Sequence, residues 1–223
     1  MKIFLKKVLK LKVNKNAMRL YVVTDRTWLG TNSLPDQVEQ TIAAGATFIQ
    51  LREKYLSYDE FVKAALEIKA VTDKYKIPFV INDDVNVAVK VNADGIHVGQ
   101  SDLDARDVRQ MIGEDKILGV SVQTVEQAKK AENSGADYLG VGAVFSTSTK
   151  DDADNVSLNT LKQICSAVNI PVVAIGGISE NNILELAGSG VDGVAVISSI
   201  FANPDIKKAT NKLLELSNKM VLC

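Results

Sequence analysis

The sequence predicts a closed barrel of eight parallel strand–helix units, a (β/α)8 or TIM barrel, and three observations carry that expectation. Eight short apolar runs alternate with segments of helical period along the 223 residues. A four-residue refrain precedes alternate runs: Ala44-Gly45-Ala46-Thr47, Val91-Asn92-Ala93-Asp94, Ser134-Gly135-Ala136-Asp137 and Ser189-Gly190-Val191-Asp192. Its second residue, Gly or Asn, suits the left-handed conformation that ends a helix, and a strand starts directly after its fourth. Polar residues then cluster just beyond the apolar runs, at the C-terminal strand ends where such barrels gather their active sites. An open flavodoxin-like sheet uses the same alternation. Eight units in about 200 residues, with two late glycine-containing loops, favour closure.

In chain order, a strand at 20–24 (Leu-Tyr-Val-Val-Thr) leads to a helix at 35–44 that the first refrain ends. A strand at 48–52 follows, and Ser57-x-x-Glu60 reads as a capping box opening a helix at 58–74, its side chains satisfying the first free backbone N–H groups. The strand 79–82 runs into Asp84, a cap for the helix 85–90. The second refrain introduces the strand 95–98, after which Asp104 caps 105–112. The strand 117–121 precedes a second capping box, Thr124-x-x-Gln127, at the head of 125–134. The third refrain gives the strand 138–141, with a helix at 158–168 beyond it. A strand at 172–175 and a helix at 180–189 come next, and the fourth refrain gives the strand 193–197 before a last helix at 205–220.

These units make one barrel domain over 18–223, with no linker-like stretch inside it. Residues 1–17 stand apart as a lysine-rich extension, expected to be disordered or appended, because Met18 directly precedes the first strand. Placed on a helix, its apolar residues would share one face, as in a segment that seeks a surface; its lysines interrupt the apolar run too often for a secretory signal. The whole chain has a formal charge of −1; six Lys and no acid in 1–17 leave 20 basic against 27 acidic residues in the rest, a net of −7. An acidic body argues against a nucleic-acid partner. No apolar stretch is long enough to span a bilayer, so no membrane partner is expected. The two cysteines, Cys165 and Cys223, have no C-x-x-C spacing, which fits a reducing cytoplasmic setting. The single histidine, His97, excludes a multi-histidine metal cage and, inside an apolar strand, reads as a satisfied structural residue. A homo-oligomer is left open.

Gln50, Arg52 and Lys54 alternate with Leu51 and Glu53, so the first three project one way. Two cations and an amide at a barrel mouth would suit a strongly anionic group such as pyrophosphate, although an exposed strand end wetted by ordinary charges has the same composition. Asn82-Asp83-Asp84 and Gly99-Gln100-Ser101-Asp102 follow adjacent strands, which would let Asp83 and Asp102 share one hard cation, magnesium by choice of ligand. The run from Gly142 through Ser146, Thr147, Ser148, Thr149 and Lys150 offers hydroxyls, backbone N–H groups and an ammonium to a phosphate, or is a mobile loop. Gly176-Gly177-Ile178 and Ile197-Ser198-Ser199 fall in the seventh and eighth loops, where these barrels commonly hold a phosphate monoester. Ser121 either binds a substrate or caps its own loop.

With these residues in place, the chain resembles the thiamine-phosphate synthase family. The matching pieces are Gln50-Leu51-Arg52-Glu53-Lys54, Asn82-Asp83-Asp84, Gly95-Ile96-His97-Val98-Gly99-Gln100-x-Asp102, Gly119-Val120-Ser121, Thr147-x-Thr149-Lys150, Ile175-Gly176-Gly177-Ile178 and Ile197-Ser198, in family order over residues 18–200. The resemblance implies a magnesium-assisted transferase of thiamine biosynthesis. It would join 4-amino-2-methyl-5-hydroxymethylpyrimidine diphosphate to a thiazole phosphate by a dissociative route and release pyrophosphate. It also implies that Gln50, Leu51, Arg52, Glu53, Lys54, Asn82, Ser121 and Lys150 hold the pyrimidine diphosphate, with Arg52, Lys54, Ser121 and Lys150 acting in catalysis. Asp83 and Asp102 would hold magnesium; Thr147, Ser148, Thr149, Gly177, Ile197 and Ser198 would hold the thiazole phosphate. Two positions depart from the pattern: Ser146 replaces a usual proline, and Gln123 replaces a histidine that many relatives carry. The second departure sets the chain apart from the sister thiazole tautomerases, which share the fold and use that histidine. The rival readings are such a tautomerase, a non-catalytic sensor of phosphate ligands, and a Schiff-base aldolase built on Lys54.

Overall fold

The computed structural model describes residues 13–100, 104–146 and 156–222. Among them, eight parallel strands close into a barrel in sequence order, with β8 pairing back to β1. The strands are β1 (Leu20–Val23), β2 (Phe48–Leu51), β3 (Phe79–Asn82), β4 (Gly95–Val98), β5 (Ile117–Val122), β6 (Tyr138–Val141), β7 (Val172–Ile175) and β8 (Gly193–Val196). The helices are α1 (Leu34–Ala43), α2 (Tyr58–Tyr75), α3 (Val85–Lys90), α4 (Ala105–Ile112), α5 (Val125–Asn133), α6 (Leu158–Ala167), α7 (Ser198–Phe201) and α8 (Ile206–Leu222). None of the described helices is long and apolar enough to cross a membrane.

Alternation along each strand separates two cores. Tyr21, Val23, Phe48, Val80, Ile117, Tyr138, Val173 and Ala195 fill the barrel interior. Leu20, Val22, Ile49, Leu51, Ile81, Ile96, Leu118 and Leu139 turn outward and pack under the helices. Both expected capping boxes form, at Ser57 with Glu60 and at Thr124 with Gln127. A third opens α1, where Ser33 and Asp36 exchange hydrogen bonds ahead of Pro35. Asp84 and Asp104 cap α3 and α4 as expected, each accepting a backbone N–H.

The refrain has a mechanical role. Its second residue takes positive φ in all four copies: Gly45, Asn92, Gly135 and Gly190. Its fourth residue then clasps the start of the preceding strand. The side-chain oxygens of Thr47, Asp94, Asp137 and Asp192 accept the N–H groups of Leu20, Phe79, Leu118 and Val172 at 2.8–3.0 Å. The four backbone N–H groups return bonds to the carbonyls of those same residues at 2.7–3.0 Å. Strands β1, β3, β5 and β7 are thereby pinned at their N-terminal ends to the segments entering β2, β4, β6 and β8.

Two expectations are corrected. The helix expected at 180–189 is a single 3-10 turn, Ile183–Leu186, because Gly188 takes φ +69° and ends it early, and Asn182 provides no side-chain cap. The extension expected over 1–17 divides, since residues 13–17 belong to the barrel, whereas 1–12 lie outside the described residues. Asn14 caps a 3-10 turn at Lys15–Met18 that lies across the bottom of the barrel, with Val13 (2% exposed) and Met18 (0%) packed into the interior cluster. Lys15 ties this floor to the fourth clasp through Asp192 at 2.9 Å.

Each clasp leaves a testable signature. Asp94→Ala strands the Phe79 N–H without an acceptor and should cost about 1–3 kcal/mol, whereas Asp94→Asn keeps an oxygen in place and should cost less. Urea unfolding of the two variants beside the parent measures the difference.

Candidate functional site

Most of the expected polar residues that are described converge at the C-terminal mouth. Gln50 lies within β2, and Arg52, Glu53 and Lys54 follow it; Asn82 ends β3; Ser121 lies near the end of β5; Gly177 follows β7; Ile197 and Ser198 follow β8. Leu51 does not join them: it points outward and is buried among helix-facing residues. Asp102, Thr147, Ser148, Thr149 and Lys150 lie outside the described residues.

The segment after β2 is held by paired charges. Arg52 donates its backbone N–H to the Thr24 hydroxyl at 3.1 Å. Glu53 accepts from Arg26 Nε at 2.7 Å, and its carboxylate is largely enclosed. Burial pushes the Glu53 carboxyl above its ordinary range, and the Arg26 guanidinium pulls against that shift. Arg26 belongs to a 3-10 turn after β1 (Arg26–Trp28) capped by Asp25, a partner that spacing within the Gln50–Lys54 run could not reveal.

Lys54 Nζ meets Asp83 Oδ2 at 2.9 Å, and both side chains remain partly open to solvent. An ion pair this exposed contributes about 0–1 kcal/mol, so either partner can be recruited by a ligand at little cost. Asp83 takes the left-handed region (φ +65°), held there by its N–H bond to the His97 carbonyl at 2.9 Å. Aspartate is among the non-glycine residues that tolerate that region, which Lys76 and Asn92 also adopt at helix ends. The turn sets the Asp83 carboxylate at the mouth while Asp84, one residue on, caps α3. Among the described residues no cluster of three or more metal-ligating side chains occurs. Asp83 could offer one hard oxygen ligand to a cation such as magnesium, which fills its shell with phosphate and water oxygens.

The opposite side of the mouth is built by close backbone approach. Val144 and Phe145 donate to the carbonyls of Ile175 and Gly176 at 3.0 and 3.1 Å, which lays the loop after β6 on the loop after β7. Gly177 sits at φ +64°, and a Cβ there would lie 2.4 Å from the Ser146 carbonyl oxygen. Asn182 Nδ2 donates to the Gly177 carbonyl at 2.9 Å, and Ser199 Oγ donates to the Ile178 carbonyl. Ile197 precedes α7 without a side-chain cap, and the Ser199–Ile178 bond ties the start of that turn to the loop that carries Gly177. Gly177 thus lies against Ser146, and Ile197 and Ser198 lie on the adjoining loop, joined to it through Ser199 and Ile178.

Beneath the mouth lies a buried polar chain that the sequence did not reveal. Gln50 Nε2 donates to Tyr21 Oη, Tyr21 Oη lies 2.8 Å from Tyr138 Oη, and Tyr138 Oη lies 2.9 Å from His97 Nδ1. His97 Nε2 in turn lies 2.9 Å from Ser121 Oγ. His97 therefore has structural partners, and Ser121 neither caps its own loop nor stands alone; its carbonyl accepts from Gln100 Nε2 at 2.7 Å. Burial pushes both phenols well above their ordinary range, so they stay protonated. The available signal was Tyr21 and Tyr138 at inward positions of strands otherwise apolar, since a buried phenol needs a polar partner.

The chain matches the family described as thiamine monophosphate synthase over residues 20–200. A curated thiamine-phosphate synthase of Clostridium tetani is 54% identical over 207 residues, covering 92% of this chain and 99% of that protein. One of Ruminiclostridium cellulolyticum is 53% identical over 197 residues, covering 88% and 94%. The solved structure of a thiamine phosphate pyrophosphorylase from Pyrococcus furiosus superposes with a TM-score of 0.86 at 38% identity, covering 93% of this chain and 98% of that one.

The tight corner at Gly177 gives the site's own prediction. Gly177→Ala adds backbone strain of about 1–2 kcal/mol and drives a methyl against the Ser146 carbonyl. The melting temperature should fall, and phosphate-bearing ligands should stabilise the variant less than the parent in a thermal-shift titration.

Proposed function

Because the chain belongs to the thiamine monophosphate synthase family, we propose that it joins 4-amino-2-methyl-5-hydroxymethylpyrimidine diphosphate to a thiazole phosphate, forming thiamine phosphate and pyrophosphate. It is a transferase of thiamine biosynthesis acting on small molecules. Curated relatives above 50% identity along nearly their whole length carry this reading. They favour it over a tautomerase or a sensor, and the cation-poised Asp83 agrees with them. A reducing cytoplasmic setting is part of the proposal, supported by two cysteines without pairing spacing.

The proposed division of the mouth follows its electrostatics. Arg52, Lys54, Asn82, Ser121 and Lys150 bind the diphosphate, with Gln50 beneath them toward the pyrimidine. Glu53 acts through Arg26, which it holds at the rim. Asp83, together with Asp102, is the choice for Mg2+, which when bound neutralises charge on the diphosphate. On binding, Lys54 would exchange Asp83 for a phosphate oxygen, which would leave the Asp83 carboxylate available as a magnesium ligand. Gly177, Ile197, Ser198 and the 147–149 run hold the thiazole phosphate through backbone N–H groups and hydroxyls.

The carbon–oxygen bond to the diphosphate breaks with its electron pair leaving on oxygen, and the thiazole nitrogen donates a pair to the resulting pyrimidine-methyl cation. No general base is needed for that sequence. The protein's task is to orient two anions and stabilise growing negative charge on the leaving group.

The test is formation of thiamine phosphate from both substrates by the full chain, with and without magnesium. Magnesium-dependent turnover is expected, and its absence with magnesium present sinks the reading. Asp83→Asn should lower kcat on the order of 10²-fold while the KM for thiazole phosphate stays within about twofold.

A further inference from the structure

The buried chain under the mouth has a direction. A phenol that accepts a hydrogen bond still has one proton to give, and a neutral imidazole gives through one nitrogen and accepts through the other. Gln50 Nε2 can only donate, and it donates to Tyr21 Oη. Tyr21 therefore passes its own proton toward Tyr138, and Tyr138 passes its proton toward His97 Nδ1. With Nδ1 accepting, the ring proton resides on Nε2, which then donates to Ser121 Oγ. Ser121 Oγ, already an acceptor, keeps its hydroxyl proton for a group in the mouth.

We propose that Tyr21, Tyr138 and His97 are positioning residues whose directed hydrogen bonds fix Ser121 as a hydrogen-bond donor toward the bound anion. A reversed chain would have Ser121 donate downward to His97 and turn lone pairs toward the substrate, a repulsive arrangement opposite a diphosphate. The interior is shaped for the forward one. A Cβ on Gly119 would lie 2.1 Å from the Tyr138 ring and 2.5 Å from His97 Nδ1, so glycine at this inward position clears the space in which the two rings meet. Tyr138 also packs edge-on to Tyr21 and Phe48, which fixes its hydroxyl in place. His97 and Tyr138 are both buried, so neither exchanges its partner for water in the barrel.

The chain's single histidine makes the tautomer directly readable. In protein labelled with 15N-histidine, the ring of the parent should show a protonated Nε2 and an unprotonated, accepting Nδ1. Tyr138→Phe, which keeps the ring and removes the donor, should shift the population toward the Nδ1–H form. Tyr21→Phe, one link further away, should do so less. The kinetic consequence rests on the proposed synthase reaction: Tyr138→Phe should lower kcat about three- to tenfold, the worth of one hydrogen bond, with KM for thiazole phosphate unchanged. A proton on Nδ1 in the parent overturns the proposal, as does a tautomer that neither tyrosine variant moves. Both readings come from the spectrum alone, so they stand apart from any failure of the synthase assay.

Discussion

The barrel depends on one repeated bond pair, in which the residue before each even-numbered strand grips a residue at the start of the strand before it. A short parallel strand has little pairing of its own, and here each spans only four to six residues. Slippage by one position would turn the inward tyrosines out toward the helices and the outward leucines into the barrel. The grip prevents that at four corners by satisfying both the N–H and the carbonyl of one residue from a single partner. Asp137 does more, because its gripping oxygen also meets Arg109 at 2.6 Å, and that buried guanidinium donates to the carbonyls of Gly113, Lys116 and Gly135. Removing one partner from such a buried pair costs more than the pair contributes.

With the N-terminal ends pinned, the C-terminal ends are free to carry chemistry. The contrast is visible in the charges. At the bottom, Asp137 and Asp192 are largely enclosed, each committed to a backbone N–H and to a cation, Arg109 or Lys15. At the mouth, the Asp83 and Lys54 side chains stay partly open to solvent and, among the described residues, pair with each other. A weak pair this open to solvent keeps both side chains in place without committing either, so under the proposed roles binding would need exchange rather than rearrangement.

The fold was legible because its signals are local and repeated. Gly45, Asn92, Gly135 and Gly190 announce left-handed turns from residue type alone, and the capping boxes at Ser57 and Thr124 announce helix starts. The element at 183–186 was misjudged because the ten-residue window 180–189 has helical composition, whereas Gly188 sets its length. The floor was missed for another reason: Val13 is one apolar residue in a lysine-rich stretch, and only tertiary packing separates it from its neighbours. At the mouth, strand-end residues could be placed by counting, since alternation fixes their direction. Arg26 with Glu53, and the chain from Gln50 to Ser121, join residues 24 to 117 positions apart, and no spacing rule connects such groups. Leu51, which the matched motif drew into the site, is directed outward by the same alternation that turns Gln50 inward.

The closed floor has a consequence for fidelity. Val13 and Met18 stop the barrel at one end, so among the described residues water has no path to the interior hydroxyls from below. A reactive cation formed at the mouth would meet solvent only through the opening its substrates use. Under the proposed dissociative route, the ratio of coupling to wasteful hydrolysis would depend on how completely the two bound anions fill that opening. The packed interior and its floor together leave the mouth as the side on which that competition would be decided.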